Sequence, residues 1–338
     1  MGAVISLDEL RDAATKAFPR DGLMPPRDAS WQMIAEMGWL MIELPEDQGG
    51  LGLGREASAA IHFELGRVLS SAPLIPALLG LQAIAASTAL ADREGWIERI
   101  CGGEYVPLHL LPAKLERAGD GALSGTVAGV FDADMASHVL VGMAGLYVLV
   151  PVDAPGVALV ERPVWDKSRR LLDLHLSGFA PSLILAEGDA ASALHDRISP
   201  AAQLALAAEA LGGANAAFDM TVEYLKMRKQ FDRPLAMFQA LKHRCADMKI
   251  ALETAEALLW SRAVNPAATV TDLGAMKALA NQVYLDVVEE AVQLHGGIGL
   301  THEHQCHLFM KRALLNAQLC GGTEHWQEKA GRQALAAA

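Results

Sequence analysis

Aromatic residues are scarce in this chain, at 5% of 338 residues, and there are only four cysteines. Cys101, Cys245, Cys306 and Cys320 are scattered and form no CxxC pair, so they read as reduced thiols in a cytoplasmic setting rather than a disulfide framework. Positive charge is also short. Against 40 Asp and Glu there are 28 Lys and Arg, a net charge of −12, which argues against a nucleic-acid partner because phosphate-backbone binding needs a basic surface. No apolar run has the length and purity of a membrane span. The stretch Val139 to Val152 is interrupted by Gly142 and Gly145 and reads as two buried strands. Met1 to Arg11 carries acids and an arginine but no apolar core, so no signal peptide is expected. No internal repeat is visible. What remains is 52% hydrophobic and 20% charged, a composition suited to two or three domains.

Periodicity divides the chain into an α+β order. Residues 1–103 read as a helical domain, with helices at Leu7 to Phe18, Ser30 to Met37 (Asp28 as cap, Gly38 as stop), Ala57 to Leu69 and Leu78 to Leu90. Residues 104–189 alternate short Val- and Leu-rich runs with Gly, Asp and Pro, the pattern of an antiparallel barrel or sandwich. The expected strands are Tyr105 to Leu110, Leu123 to Val130, His138 to Val141, Leu146 to Val152, Val157 to Glu161, Leu171 to Leu176 and Leu183 to Leu185. Residues 190–338 read as a four-helix bundle. Ser199-Pro200 looks like a cap followed by a first-turn proline, and Thr271 like a cap for a helix ending at His295. Leu235, Phe238, Leu241, Cys245, Met248, Leu252, Ala255 and Leu259 form one apolar stripe at spacings of three and four. Two more helices are expected, from Glu303 to Leu319 and from Thr323 onward.

The most informative stretch runs from Met227 to Gln239: helix end, turn near Asp232, then a helix start with Pro234 near its first turn. Arg228 offers a planar fork of donors suited to an oxyanion, Gln230 and Gln239 add amides, and Phe231 adds an aromatic face. Gln239 falls where free backbone N–H groups also favour anions. Taken alone, the corner is either a surface hairpin with a buried Phe or a site for a nucleotide diphosphate. A second stretch, Gln293-Leu294-His295-Gly296-Gly297-Ile298-Gly299, ends another long helix with glycines that permit close backbone approach.

Together these runs carry a family resemblance. Arg-x-Gln-Phe-x-x-Pro-Leu-x-x-Phe-Gln, then Gln-x-x-Gly-Gly-x-Gly, then Gly321-Gly322-Thr323, resemble the carboxy-terminal half of the acyl-CoA dehydrogenases. Pro45-Glu46-x-x-Gly49-Gly50-x-Gly52 and Glu64-Leu65-Gly66-Arg67 are similar to that family's amino-terminal helical domain. The resemblance implies FAD as cofactor, an acyl-CoA substrate oxidised to the 2-enoyl-CoA, and electron-transfer flavoprotein as acceptor. It implies that Arg228, Gln230, Phe231, Leu235, Phe238, Gln239, Gln293, Gly296, Gly297 and Thr323 contact FAD, mainly its ADP part, across a subunit interface.

The family's catalytic base is missing. The position matching the usual glutamate is Gly321; the alternative position on an earlier helix is Ala202, followed by Gln203 where an arginine on the CoA side is common. The Thr-Glu-Pro and Gly-Ser-Asp run of the middle domain is absent too, with Pro112 to Arg117 in its place. No catalytic residue is therefore assigned. Either another carboxylate such as Glu324 or Glu209 serves as base, or labour is divided. In the second case the chain resembles the base-less subunit of bacterial hetero-oligomers and lends ADP-side contacts to a homologous catalytic subunit. The alternative from another class is a flavin-free scaffold. A bulky acyl group such as a steroid side-chain thioester would fit the mixed type. His302, His304, Cys306 and His307 lack the spacing of a zinc site, so no metal is expected. Lys167 to Arg170 reads as a solvated basic loop, and His109, His138, His175 and His195 as structural.

Overall fold

A computed structural model describes residues 6–336; the first five residues, on which part of the expectation about the start rests, lie outside them. The helices are α1 (Leu7–Ala17), α2 (Arg27–Glu36), α3 (Gly54–Arg67), α4 (Leu74–Ala86), α5 (Arg93–Cys101), α6 (Asp189–Met227), α7 (Gln239–Ala263), α8 (Val270–His295), α9 (Cys306–Asn316) and α10 (Thr323–Ala336). The strands between α5 and α6 are β1 (Lys114–Arg117), β2 (Leu123–Phe131), β3 (His138–Met143), β4 (Leu146–Pro151), β5 (Val157–Arg162), β6 (Leu171–Phe179) and β7 (Leu183–Glu187). The chain is thus helical, then antiparallel β, then helical. The strands form two sheets, ordered β1-β2-β6-β5 and β3-β4-β7, rather than one closed barrel. No described helix is long and apolar enough to cross a membrane.

Several local expectations shift, each for a physical reason. Tyr105 to Leu110 forms no strand; Pro107 removes a ladder donor, and only an isolated bridge joins Leu108 to Leu140. The charged run Lys114–Arg117 pairs instead as an edge strand, where charge blunts the open edge. Asp28 caps nothing: α2 has Pro26 at its N-cap, and Asp28 accepts from Arg27. The cap of α8 is Thr269, not Thr271, because only Thr269 has an acid three residues on, Asp272, to close the reciprocal box. Pro200 does not start a helix. α6 runs straight through it, and a buried stretch from Ile198 to Asn215 offsets a cost of roughly 3 kcal/mol for interior proline. Lys167 to Arg170 is only partly solvated: Ser168 is buried, and Arg169 donates to the Ala72 carbonyl and lies over the Phe131 ring.

The described residues fall into two compact units. The first joins residues up to Pro25, Arg55–Ser70 and the chain from Gln203 onward. Its core packs Phe63 and Leu69 with Leu204, Leu211, Leu225, Met248, Leu252, Leu259, Val287, Val288 and Phe309. α3 meets α6 backbone to backbone: a Cβ on Gly66 would lie 2.1 Å from the Glu209 carbonyl oxygen, and one on Gly212 1.9 Å from that of Phe63. Of the expected stripe, Met248, Leu252, Ala255 and Leu259 are buried on α7, while Leu235, Leu241 and Cys245 pack at the core margin.

The second unit joins Pro26–Gly54 with Ser71–Ala202 and contains both sheets. Tyr105 is buried there, donating its hydroxyl to the Phe131 carbonyl at 2.9 Å. The next residue, Asp132, is 1% exposed and left-handed (φ +47°), and its Oδ1 accepts from Arg27 Nη1 at 3.1 Å. Burial pushes its carboxyl up to about 6, although Arg27 pulls the other way. A carboxyl raised above its unfolded value of roughly 3.9 favours folding at low pH and loses that contribution as pH rises through 6. Asp132→Asn is therefore expected to raise the Tm at pH 8, by up to ~3 kcal/mol in stability, and to leave it near wild type at pH 4. Thermal melts across that range check this; a larger gain at pH 4 than at pH 8 contradicts it.

Candidate functional site

All of the corner residues lie in the first unit. α6 ends at Met227, and the chain enters a hairpin in which Lys229 pairs with Pro234 and Gln230 with Arg233. Pro234 is thus in an extended segment ahead of a 3-10 turn, Leu235–Met237, and α7 begins only at Gln239. The hairpin turn is Phe231-Asp232, and both residues are left-handed, with φ of +53° and +61°. That geometry ordinarily selects Asn and Gly. Here it strains two side-chain-bearing residues, at a cost of roughly 1–2 kcal/mol each.

The strain displays Phe231. Its side chain is 84% exposed, not buried, and only its edge meets Phe238, at 6.1 Å between ring centroids. Arg233 stacks over Phe238 at 4.1 Å. Arg228 is exposed, and its guanidinium makes no ion pair or hydrogen bond among the described residues. Gln230 and Gln239 are exposed as well. Phe238, at the N-cap of α7, supplies no side-chain acceptor, and its carbonyl takes the Leu241 N–H, so the Gln239 and Ala240 N–H groups keep their affinity for an anion. Arg228, Lys229 and Arg233 against the single Asp232 make this a positive corner on an acidic protein.

The Gln293 stretch ends a helix that packs against the end of α6 through Tyr224 and His295. Gln293 is exposed in the last turn of α8, and its carbonyl accepts the Gly296 N–H. Gly296 adopts φ +64° and ψ −146°, a conformation open essentially to glycine alone. Ideal Cβ atoms on Gly296 and Gly297 would meet nothing within 4 Å, so the backbone there lies open to a ligand. The link between the corners is Tyr224 on α6, whose hydroxyl donates to the His295 carbonyl at 3.3 Å and whose ring stacks on His295 at 4.4 Å. Tyr224 is the residue that sequence reasoning missed; a tyrosine one helical turn before Arg228 was its only signal. Leu235 and Phe238 brace the hairpin from below, half-buried. Thr323 opens α10 just after the Leu319–Gly322 loop, and its side chain makes no hydrogen bond to the corner among the described residues.

The positions expected for a base hold none, and their surroundings are closed. Gly321 (φ +92°) has no room for a side chain, since a Cβ would sit 2.8 Å from Trp326 Nε1 and 3.0 Å from His325 Cδ2. Its loop is pinned from three sides. Gln203 Nε2 and Trp326 Nε1 donate to the Cys320 carbonyl, and the buried Lys277 Nζ bridges the Leu319 and Gly321 carbonyls at 2.5 Å. Burial brings the Lys277 ammonium down to about 8. Ala202 is buried. Glu209 cannot serve as base in this arrangement, because it is buried and paired with Arg312 Nη1 at 2.8 Å. Glu324 is exposed. Among the described residues no group of three or more His, Cys, Asp or Glu is arranged to hold a metal ion.

Comparison with known proteins agrees with this architecture. Residues 7–104 match the family model "Acyl-CoA dehydrogenase, N-terminal domain" and residues 201–335 "Acyl-CoA dehydrogenase, C-terminal domain". The chain is 32% identical over 301 residues to acyl-CoA dehydrogenase IpdE2 of Mycolicibacterium smegmatis, covering 86% of this chain and 83% of that protein. Among solved structures, a variant of the Tcur3481–Tcur3483 steroid ACAD is similar at TM-score 0.80 and 29% identity, covering 99% of this chain and 94% of its counterpart. The ChsE4–ChsE5 complex of Mycobacterium tuberculosis shares the fold at TM-score 0.78 and 24% identity, over 98% and 93% of the two chains. The helix–sheet–helix order, the matching models and these relatives place the chain in the acyl-CoA dehydrogenase family, FAD-dependent oxidoreductases that act on CH–CH groups.

Proposed function

We propose that this chain is the base-less subunit of a mixed acyl-CoA dehydrogenase and lends ADP-side FAD contacts to a homologous catalytic subunit. One observation carries the reading. Phe231 is held 84% exposed on a turn that strains it, beside a partnerless Arg228. Strain and exposure together at one corner favour a ligand role over a structural one. The open backbone at Gly296 and Gly297 fits close approach by a nucleotide.

FAD, when bound, supplies the hydride-accepting chemistry. This chain's part is to grip. Arg228 pairs with a phosphate, Gln230, Gln239 and Gln293 donate or accept at the nucleotide, and Phe231 covers it. With glycine at 321 and alanine at 202, abstraction of the substrate proton falls to a carboxylate of the partner subunit. The likeness to a steroid ACAD named for two components supports both the mixed assembly and a bulky acyl-CoA. Electron-transfer flavoprotein as acceptor rests on the family resemblance alone. The four free cysteines fit a cytoplasmic setting.

The test is a flavin count. Purified alone, the chain is expected to carry little FAD and to turn over no acyl-CoA. Co-expressed with a catalytic-type subunit, it is expected to yield an assembly holding both flavin and activity. Stoichiometric FAD and turnover in the chain alone would defeat the proposal.

A further inference from the structure

We infer that Tyr224 is a positioning residue for the nucleotide corner, clamping the Gly296–Gly297 turn at a set distance from Arg228. The inference rests on the ADP-side reading and deepens it. Three contacts build the clamp. The Arg228 N–H donates to the Tyr224 carbonyl at 2.8 Å, so the arginine's backbone position follows that of the tyrosine. The Tyr224 hydroxyl donates to the His295 carbonyl, the peptide unit that leads into Gly296. The Tyr224 and His295 rings stack nearly parallel, 28° apart, and His304 closes the group at 4.3 Å from His295 and 5.8 Å from Tyr224.

Proton placement fits a rigid stack. His295 Nδ1 donates to the Ala291 carbonyl at 2.7 Å, so the tautomer is set and Nε2 keeps a lone pair. His295 is 3% exposed and that Nε2 has no hydrogen-bond partner, an acceptor left free beside the turn. His304 Nδ1 accepts from the Cys306 N–H at 3.2 Å, which ties the start of α9 to the same group. Burial holds the pKa of both imidazoles below the usual histidine value, so both are neutral at neutral pH and nothing in the stack repels. Of the histidine-rich run, His304 packs into this group, while His302 and His307 meet each other edge to face at 5.3 Å. A diphosphate gripped by Arg228 on one side and bare glycine backbone on the other needs those two turns held within a fraction of an ångström.

Two variants and two readouts test this. Tyr224→Phe keeps the ring and loses the hydroxyl; Tyr224→Leu loses both. In the isolated full chain, Tyr224→Leu should speed amide hydrogen exchange across residues 296–301, and Tyr224→Phe should do so less. In the co-expressed assembly, FAD dissociation constants should rise roughly 2- to 10-fold for Phe and at least about 10-fold for Leu. The melting temperature of the flavin-free Phe variant should stay near wild type, which a merely structural role would not allow. If the wild-type assembly holds FAD and Tyr224→Leu holds it equally tightly, the inference is overturned. If the wild-type assembly holds no FAD, the nucleotide reading itself falls, and this inference with it.

Discussion

Under the proposed function, Arg228→Ala is expected to strip flavin from the assembled complex. The guanidinium is exposed and has no partner among the described residues, so its removal leaves nothing unpaired and no cavity behind. Its loss is felt only when a phosphate is present. A charge-assisted pair of this kind contributes roughly 1.5–3 kcal/mol, so FAD affinity should fall about 10- to 200-fold. Over the same range the melting temperature of the flavin-free chain should not change. Equilibrium dialysis of the assembly against FAD reads the effect. A scaffold that binds no nucleotide would give identical curves for the two proteins. Arg228→Lys keeps the charge and loses the planar fork, and should recover only part of the affinity.

Arg312→Ala gives the largest loss of stability. Arg312 on α9 is 1% exposed and donates to Glu209 Oε1 at 2.8 Å and to the Ser70 carbonyl at 3.1 Å. Asn316 Nδ2 donates to the other Glu209 oxygen at 3.3 Å. Removing the cation strands a buried carboxylate on α6, which typically costs about 3–5 kcal/mol. A domain has only about 5–15 kcal/mol in all, so a drop of many degrees in Tm is expected. The double change Arg312→Met with Glu209→Leu removes both charges and keeps the volume, and should recover most of the loss. If the double variant melts as low as Arg312→Ala, packing and not the stranded charge sets the cost. The same pair explains why Glu209, one of the two carboxylates named as substitutes for the missing base, is not free to act.

Much of the corner was legible before any coordinates. Arg228, Gln239 and Gln293 are residue types whose chemistry is written in their side chains, and Pro234 and the glycines mark where helices stop. What could not be read was conformation. Nothing in Gln-Phe-Asp-Arg-Pro announces a hairpin turn with two left-handed residues, because Phe is a poor choice for that backbone. Of the two readings left open for the corner, the surface hairpin buried this Phe; the turn instead leaves it exposed. Pro200 misled for a similar reason: a local start signal lost to the burial gained by one unbroken helix. Thr269 and Thr271 are nearly equivalent as letters, and only the acid at the right offset separates them.

The one-dimensional pattern was enough to determine the order of helical and strand regions and the chemical inventory: a run of strands between helical stretches, glycine at 321 and alanine at 202, and an arginine with amides near it at one corner. Each of these depends on side-chain identity or on short-range periodicity, which a sequence carries directly. Tertiary structure alone decided that Tyr224 on α6 and His295 on α8 meet, that Glu209 is consumed by Arg312, and that Trp326 and Lys277 close the loop around Gly321. Except for Trp326, which lies six residues from Cys320, those contacts join residues 42 to 103 positions apart in the chain. Contacts at such separations arise from how helices cross, and the crossings follow from close packing of the whole core rather than from any local run of residues.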